Sequence, residues 1–98
     1  MGGLLAVDVG NTNVVIGAYR GTTLLRTWRA ATDVDRTEDE LAVMLDALLA
    51  QEELRIADVA SLVVGSVVPP LTLAFTRLAE RHLEGRVLVI GPGVKTGV

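Results

Sequence analysis

Residues 8–13 read DVGNTN, in which an aspartate near the end of an apolar run is followed by a glycine and three polar side chains. The apolar run, residues 4–9, predicts a strand buried on both faces. Residues 14–19 and 22–30 are two further stretches rich in strand-forming residues. The three segments predict an antiparallel meander joined by tight turns, and the polar turn after the first strand is the unusual one.

The next segment predicts an amphipathic helix. Thr37 and Glu40 have the spacing of a capping box, in which the threonine hydroxyl and the glutamate carboxylate each accept a backbone N–H at the start of a helix. Apolar residues then recur at the spacing that places them on one helical face: Leu41, Met44, Leu45, Leu48 and Leu49. We expect a helix that begins at Thr37 and buries this stripe.

A strand, a second helix and a last strand follow. Residues 61–68 predict a strand that Pro69-Pro70 ends, because proline lacks the donor that a sheet needs but is tolerated in the first turn of a helix. The second helix is expected to end before Gly85, which suits a left-handed cap, and to bury Leu71, Phe75 and Leu78. Residues 87–90 predict the final short strand.

The predicted order is strand-strand-strand-helix-strand-helix-strand, in a single domain over residues 1–98. This order predicts the α/β class, with a mixed five-stranded sheet between layers of helix. It is also the ribonuclease-H-like pattern on which actin-type ATPases are built, and 98 residues correspond to a half-lobe of such a protein. Fold likeness alone does not settle function.

The polar turn has the chemistry of a phosphate site. Gly10 lets the main chain approach a bulky anion with positive φ, and successive turn amides can point at phosphate oxygens. Asn11, Thr12 and Asn13 add uncharged donors. Asp8 would repel a bare phosphate, so it is expected to act as a ligand, direct or through water, of the Mg²⁺ that accompanies a nucleotide.

Taken alone, the same residues are equally compatible with an ordinary hairpin turn, because Asp, Gly and Asn are common turn residues. The position of Asp8 inside an apolar strand favours a binding role, because a buried acid is costly unless it is paired or metal-bound. The segment is not a Walker loop, since it lacks Gly-Lys-Ser/Thr and leads into a strand.

Four separated segments resemble motifs of the type III pantothenate kinases, in the same order and spacing. Residues 8–17, DVGNTNVVIG, are similar to the first phosphate motif of that family, and residues 37–41 are similar to its T-x-D-E-L helix start. Residues 66–69 resemble its S-V-V-P segment, and residues 91–97 its G-P-G-x-K-T-G stretch. The resemblance covers essentially the whole chain.

Members of that family phosphorylate pantothenate with ATP, in the first step towards coenzyme A, and require Mg²⁺ together with potassium or ammonium. The resemblance implies that the loop around the ATP phosphates consists of Asp8, Val9, Gly10, Asn11, Thr12, Asn13, Val14 and Val15.

The resemblance also implies what this chain lacks. The family's pantothenate contacts, proton-accepting aspartate, monovalent-cation ligand and second phosphate loop lie further along a longer chain. We therefore expect an amino-terminal lobe with no catalytic residue of its own, inactive in isolation. A homodimer, or association with the missing carboxy-terminal half, is expected.

The composition of the chain limits the classes of partner and of chemistry that are expected for it. The net charge is −3, with eight arginines and one lysine, so the chain has no excess of positive charge for nucleic acid. Its apolar runs are too short to cross a bilayer and its start does not resemble a signal peptide, so a soluble, cytoplasmic protein without a membrane partner is expected. The chain has no cysteine and a single histidine, His82, which excludes thiol chemistry and multi-histidine sites within it.

Two other functions remain open at this level. One is a non-catalytic, actin-like nucleotide-binding module that uses the same turn. The other is a ribonuclease-H-like nuclease, whose first strand also carries a metal-binding aspartate, although acidity and the lack of further strand-end carboxylates count against it. Lys95 is compatible with a role near phosphate or pantothenate and equally with a solvated tail. His82 is expected to cap or pack the second helix.

Overall fold

The computed structural model describes residues 3–90. In this range the chain forms, in order, β1 (Gly3–Val9), β2 (Asn13–Arg20), β3 (Thr23–Ala31), α1 (Glu38–Ala50), a short 3-10 turn (Ile56–Asp58), β4 (Val59–Ser66), α2 (Pro69–His82) and β5 (Val87–Ile90). This is the element order predicted from the sequence. The G-P-G-x-K-T-G stretch and Lys95 lie outside the described residues.

The five strands form one mixed sheet in the order β3-β2-β1-β4-β5. β1 lies at the centre, antiparallel to β2 on one side and parallel to β4 on the other. β3 continues the antiparallel meander, and β5 runs parallel to β4. Asp8 therefore lies between Val15 of β2 and Gly65 of β4 in the middle of the sheet.

Both helices pack on the same face of this sheet. A single buried cluster contains side chains of α1, of α2 and of alternate strand positions, including Leu5, Val7 and Val9 of β1. The reason is the handedness of the connections. The chain crosses the sheet in the same direction from β3 through α1 to β4 and from β4 through α2 to β5, and right-handed crossovers then place both helices on one side.

The opposite face of the sheet is not covered by any element within residues 3–90, and we call it the open face. On β1 it carries Leu4, Ala6 and Asp8, of which Asp8 is exposed. Two expectations were therefore wrong for this part of the chain. β1 is buried on one face rather than both, and the sheet has a helix layer on one side rather than on each side.

The first helix forms for the reasons that its sequence suggests. The Thr37 hydroxyl accepts from the amide of Glu40 at 3.2 Å, and the Glu40 carboxylate accepts from the amide of Thr37 at 2.9 Å. The predicted stripe faces the sheet, with Leu41, Leu45 and Leu49 buried. The capping box and the amphipathic stripe are thus both confirmed.

The second helix begins at Pro69 and buries Leu71, Phe75 and Leu78, as predicted. His82 ends the helix but is exposed, and the apolar residue that closes this face is Leu83 instead. Gly85 has the expected positive φ, 77°. Neither helix in the described range is long and apolar enough to span a membrane.

β4 ends at Ser66, two residues earlier than predicted. The Ser66 hydroxyl accepts from the amide of Val68 at 3.0 Å and donates to the carbonyl of Val68 at 3.1 Å. This local ring draws the backbone out of the extended conformation before the proline. It also shows that the serine of the S-V-V-P segment already has its hydrogen-bond partners in the turn that starts α2.

The capping box yields a direct test of this fold. Replacing Thr37 with alanine removes a side-chain acceptor from the first turn of α1, and we expect the free energy of unfolding to fall by about 1 kcal/mol. Urea denaturation followed by circular dichroism measures the change. Thr37→Ser keeps the hydroxyl and should match the parent protein; equal stability of Thr37→Ala and the parent would contradict the cap's role.

Candidate functional site

Asp8 is the charged residue at the centre of the candidate site. Its neighbours Val7 and Val9 point into the core, so strand alternation directs the Asp8 side chain to the open face, where it is exposed. The argument from the cost of burying an acid was therefore wrong, because Asp8 is not buried. Its significance lies in its position, two residues before the turn and on the strand that both halves of the sheet share.

The turn between β1 and β2 is closed by its own backbone. The amide of Gly10 donates to the carbonyl of Asn13 at 2.9 Å. A side chain at position 10 would place its Cβ 3.2 Å from that same carbonyl oxygen, a tight contact that the turn could relieve only by shifting a few tenths of an ångström. The expectation of positive φ at Gly10 was wrong, since the positive-φ glycines of the described chain are Gly21 and Gly85.

Two amides of the turn are left without an acceptor in the described part of the chain. Because the Gly10 amide is used inside the turn, the amides left to meet a ligand are those of Asn11 and Thr12, which donate to no acceptor within residues 3–90. The side chains of Asn11, Thr12 and Asn13 are all exposed. The turn thus presents uncharged donors beside the Asp8 carboxylate, an arrangement suited to phosphate oxygens.

Two of the three valines of the motif point into the core and support the turn from below. Val9 and Val14 are buried in the core, 1% and 4% exposed. The carbonyl of Val9 accepts from the amide of Val67 at 3.1 Å, which ties the end of β1 to the segment that follows β4. Val15 lies on the open face beside Asp8 and is half-buried.

Thr32 braces the turn, a role that the sequence did not reveal. Its hydroxyl donates to the carbonyl of Gly10 at 2.7 Å, and its amide donates to the carbonyl of Thr12 at 2.9 Å. One residue just after β3 therefore holds both ends of the turn. The polar segment after β3 was the available signal, but only the strand register shows that it lies beside Gly10.

A shallow concavity on the open face adjoins Asp8. It encloses about 300 Å³, and the small residues Ala6, Gly17 and Gly65 are among those that line it. A magnesium ion that accompanies a nucleotide is usually held by one or two carboxylates, by water and by the substrate's phosphates. A single exposed carboxylate beside open space fits that description. The part of the chain that the structure describes contains no group of three or more acids and histidines that could hold a metal unaided.

The sequence matches one known family along almost its whole length. The family profile described as type III pantothenate kinase matches residues 4–98. This chain belongs to the type III pantothenate kinase family. The resemblance inferred from four short motifs is thereby confirmed.

Curated relatives of this family agree. Over 95 residues the chain is 45% identical to the type III pantothenate kinase of Exiguobacterium sibiricum and 44% identical to that of Geobacter sulfurreducens. Each alignment covers 97% of this chain, but only 38% and 37% of the respective relative. The chain thus spans little more than a third of the length of these type III pantothenate kinases.

Solved structures confirm the fold class. The chain is similar to YeaZ from Pseudomonas aeruginosa, with a TM-score of 0.64 at 18% identity, over 93% of this chain and 44% of that one. It is also similar to the ROK hexokinase of Thermus thermophilus, with a TM-score of 0.59 at 18% identity, over 91% of this chain and 35% of that one. These likenesses show that the chain has the ribonuclease-H-like, actin-type fold. They show nothing about its function.

The brace at Thr32 leads to a measurable prediction. Thr32→Val preserves the shape of the side chain but removes the donor to Gly10, which should lower the free energy of unfolding by about 1 kcal/mol. The loss should be felt first in the turn, so hydrogen exchange at the Gly10 amide should become faster. Thr32→Ser restores the donor and serves as the control. Unchanged Gly10 exchange in Thr32→Val would show that the hydroxyl does not hold the turn.

Proposed function

We propose that residues 1–98 form the amino-terminal, ATP-phosphate-binding lobe of an enzyme that phosphorylates pantothenate to 4'-phosphopantothenate with ATP, in coenzyme A biosynthesis. The observation that carries the proposal is the exposed position of Asp8 on the open face, beside a turn whose Asn11 and Thr12 amides donate to no acceptor within residues 3–90. Membership of the type III pantothenate kinase family supports the reaction, because the curated relatives carry that name.

In this proposal the loop from Asp8 to Val15 contributes in two ways. The amides of Asn11 and Thr12, with the polar side chains of the turn, donate to phosphate oxygens, while the buried valines keep the loop fixed to the core. The Asp8 carboxylate holds Mg²⁺, directly or through water. When bound, Mg²⁺ neutralises charge that develops on the phosphates during transfer.

The remaining components follow from the family. We expect ATP and pantothenate as substrates, with Mg²⁺ and a monovalent cation, potassium or ammonium, whose ligand lies outside this chain. A homodimer, or association with a carboxy-terminal half, and a cytoplasmic location belong to the same proposal.

Phosphoryl transfer needs groups on more than one side of the transferred phosphate. Catalysis depends on the position of both reactants, on charge stabilisation around the phosphate and on a group that orients the attacking hydroxyl. The open face and its turn supply one wall of such a cleft. The proposed lobe therefore binds nucleotide but does not complete a reaction by itself.

The metal role of Asp8 can be separated from general binding. We expect the parent protein to bind Mg·ATP more tightly than ATP without Mg²⁺, because metal relieves the repulsion between Asp8 and phosphate. Asp8→Asn should abolish this preference by weakening Mg·ATP binding about tenfold, the loss of roughly 1.4 kcal/mol. Isothermal titration calorimetry with and without Mg²⁺ measures both constants.

Asp58→Asn is the matched control, because Asp58 is exposed at the opposite end of the sheet and an amide oxygen can still accept from Arg55 as its carboxylate does. It should leave the preference intact. An Asp8→Asn protein that still prefers Mg·ATP to the same degree would remove Asp8 from the metal site.

The proposed lobe is also expected to lack kinase turnover by itself. The purified 98-residue protein, incubated with Mg·ATP, potassium and pantothenate, should release no ADP above background in a coupled assay. Turnover that disappears in Asp8→Asn would show that these residues assemble a complete active site, and the proposal of an inactive lobe would be wrong.

A further inference from the structure

Arg29 lies in the same row of the sheet as Asp8. Val15 of β2 pairs with Asp8 of β1 on one side and with Arg29 of β3 on the other. The row continues to Gly65 of β4. A carboxylate and a guanidinium are thus separated by a single strand, at the end of the sheet that carries the β1–β2 turn.

Both charged side chains are on the open face. Trp28, the residue before Arg29, is buried, and its ring N–H donates to the Gln51 side chain just after α1 at 3.2 Å, so Trp28 points towards the helices. Strand alternation then directs Arg29 to the opposite side, where it is exposed. Asp8 reaches the same face by the same alternation.

Arg29 has no ionic partner within residues 3–90, in contrast to the nearest arginine on its strand. Arg26 forms an ion pair with Glu52 at 3.4 Å and lies 5.5 Å from the centre of the Trp28 ring. The salt bridges of the described residues involve Arg26, Arg81 and Arg86, and none involves Arg29. The guanidinium of Arg29 is therefore available to a ligand.

The spacing suits a phosphate group between the two charges. Strands lie about 4.8 Å apart, so the Cα atoms of Asp8 and Arg29 are about 10 Å apart across Val15. Val15 lies between the two charged residues, and the concavity beside Asp8 extends over the neighbouring row of the open face, where Gly17 and Thr27 line it. A guanidinium presents paired donors that match two phosphate oxygens, while Asp8 on the other side faces a metal ion.

We propose that Arg29 is a phosphate-contacting residue of the nucleotide site, opposite Asp8 on the open face. This inference rests on the proposed function, because it takes the ligand of Asp8 and the turn to be a metal-bound polyphosphate. Arg29 binds the oxygens that the turn amides leave free and offsets the negative charge that Asp8 adds to the site.

The test is calorimetric titration of the 98-residue protein with Mg·ATP and, separately, with magnesium tripolyphosphate, which lacks the nucleoside. Arg29→Gln should weaken both ligands by about tenfold, since a charged hydrogen-bonded contact is lost. Arg29→Lys keeps the positive charge but lacks the paired donors of the guanidinium, so its affinity for both ligands should lie between those of the parent protein and Arg29→Gln. Arg20→Gln is the matched control, because Arg20 is an exposed arginine at the other end of β2. Thermal unfolding should be the same for all variants.

The outcomes separate this inference from the function on which it rests. If the parent protein binds both ligands and Arg29→Gln binds them equally well, the contact is refuted and the proposed phosphate site stands. Equal losses of affinity in Arg29→Gln and Arg20→Gln would show that the effect comes from the change in net charge, and this result would also refute the contact. If the parent protein binds neither ligand, the proposed function of this lobe fails, and the role of Arg29 fails with it.

Discussion

The handedness of two chain crossovers determines which face of the sheet is covered by helices and which face is accessible to a ligand. The chain passes from β3 to β4 and from β4 to β5 in the same direction across the sheet, so right-handed connections place α1 and α2 on one face. Within residues 3–90 the buried apolar side chains form a single cluster on that side, with Phe75, Leu45 and Val64 fully enclosed. The other face of β1 is left open, and Asp8 can be both central in the sheet and accessible to solvent.

The strands next to β1 complete the site. β2 follows the turn directly and places Val15 beside Asp8, while the end of β3 supplies the two hydrogen bonds by which Thr32 holds the turn. On the parallel side, β4 places Gly65 beside Asp8, which leaves room above the sheet. The backbone of the site is therefore held by hydrogen bonds, while the space beside the Asp8 side chain stays free. This arrangement suits a surface that binds a polyphosphate with its metal ion.

Much of this architecture could be predicted from the sequence. The capping box at Thr37, the stripe of leucines after it and the two prolines that begin α2 are local signals, and each one predicted the correct element. The placement of Asp8 could not be predicted in this way. Leu4 and Ala6 are apolar although they lie on the open face, so β1 reads as a strand buried on both sides.

The bracing role of Thr32 and the proposed role of Arg29 could not be predicted from the sequence, for a related reason. Their roles depend on which residues of β3 lie beside β2, and this register shifts by one residue between Ala18 and Tyr19. An irregularity of that kind moves the pairing without a clear sequence signal. The family motifs, by contrast, identified the chain correctly because they record the residues themselves rather than their partners.

The central claim is that metal and phosphate meet on the open face beside the β1–β2 turn. Replacing Mg²⁺ with paramagnetic Mn²⁺ in the ATP complex and recording backbone amide spectra would locate the metal directly. The account predicts strong broadening at Asp8, Gly10, Val15 and Gly65, with the signals of Leu45 and Phe75 on the helix side much less affected. Broadening centred on the exposed acids of α1, or spread evenly over the surface, would contradict it.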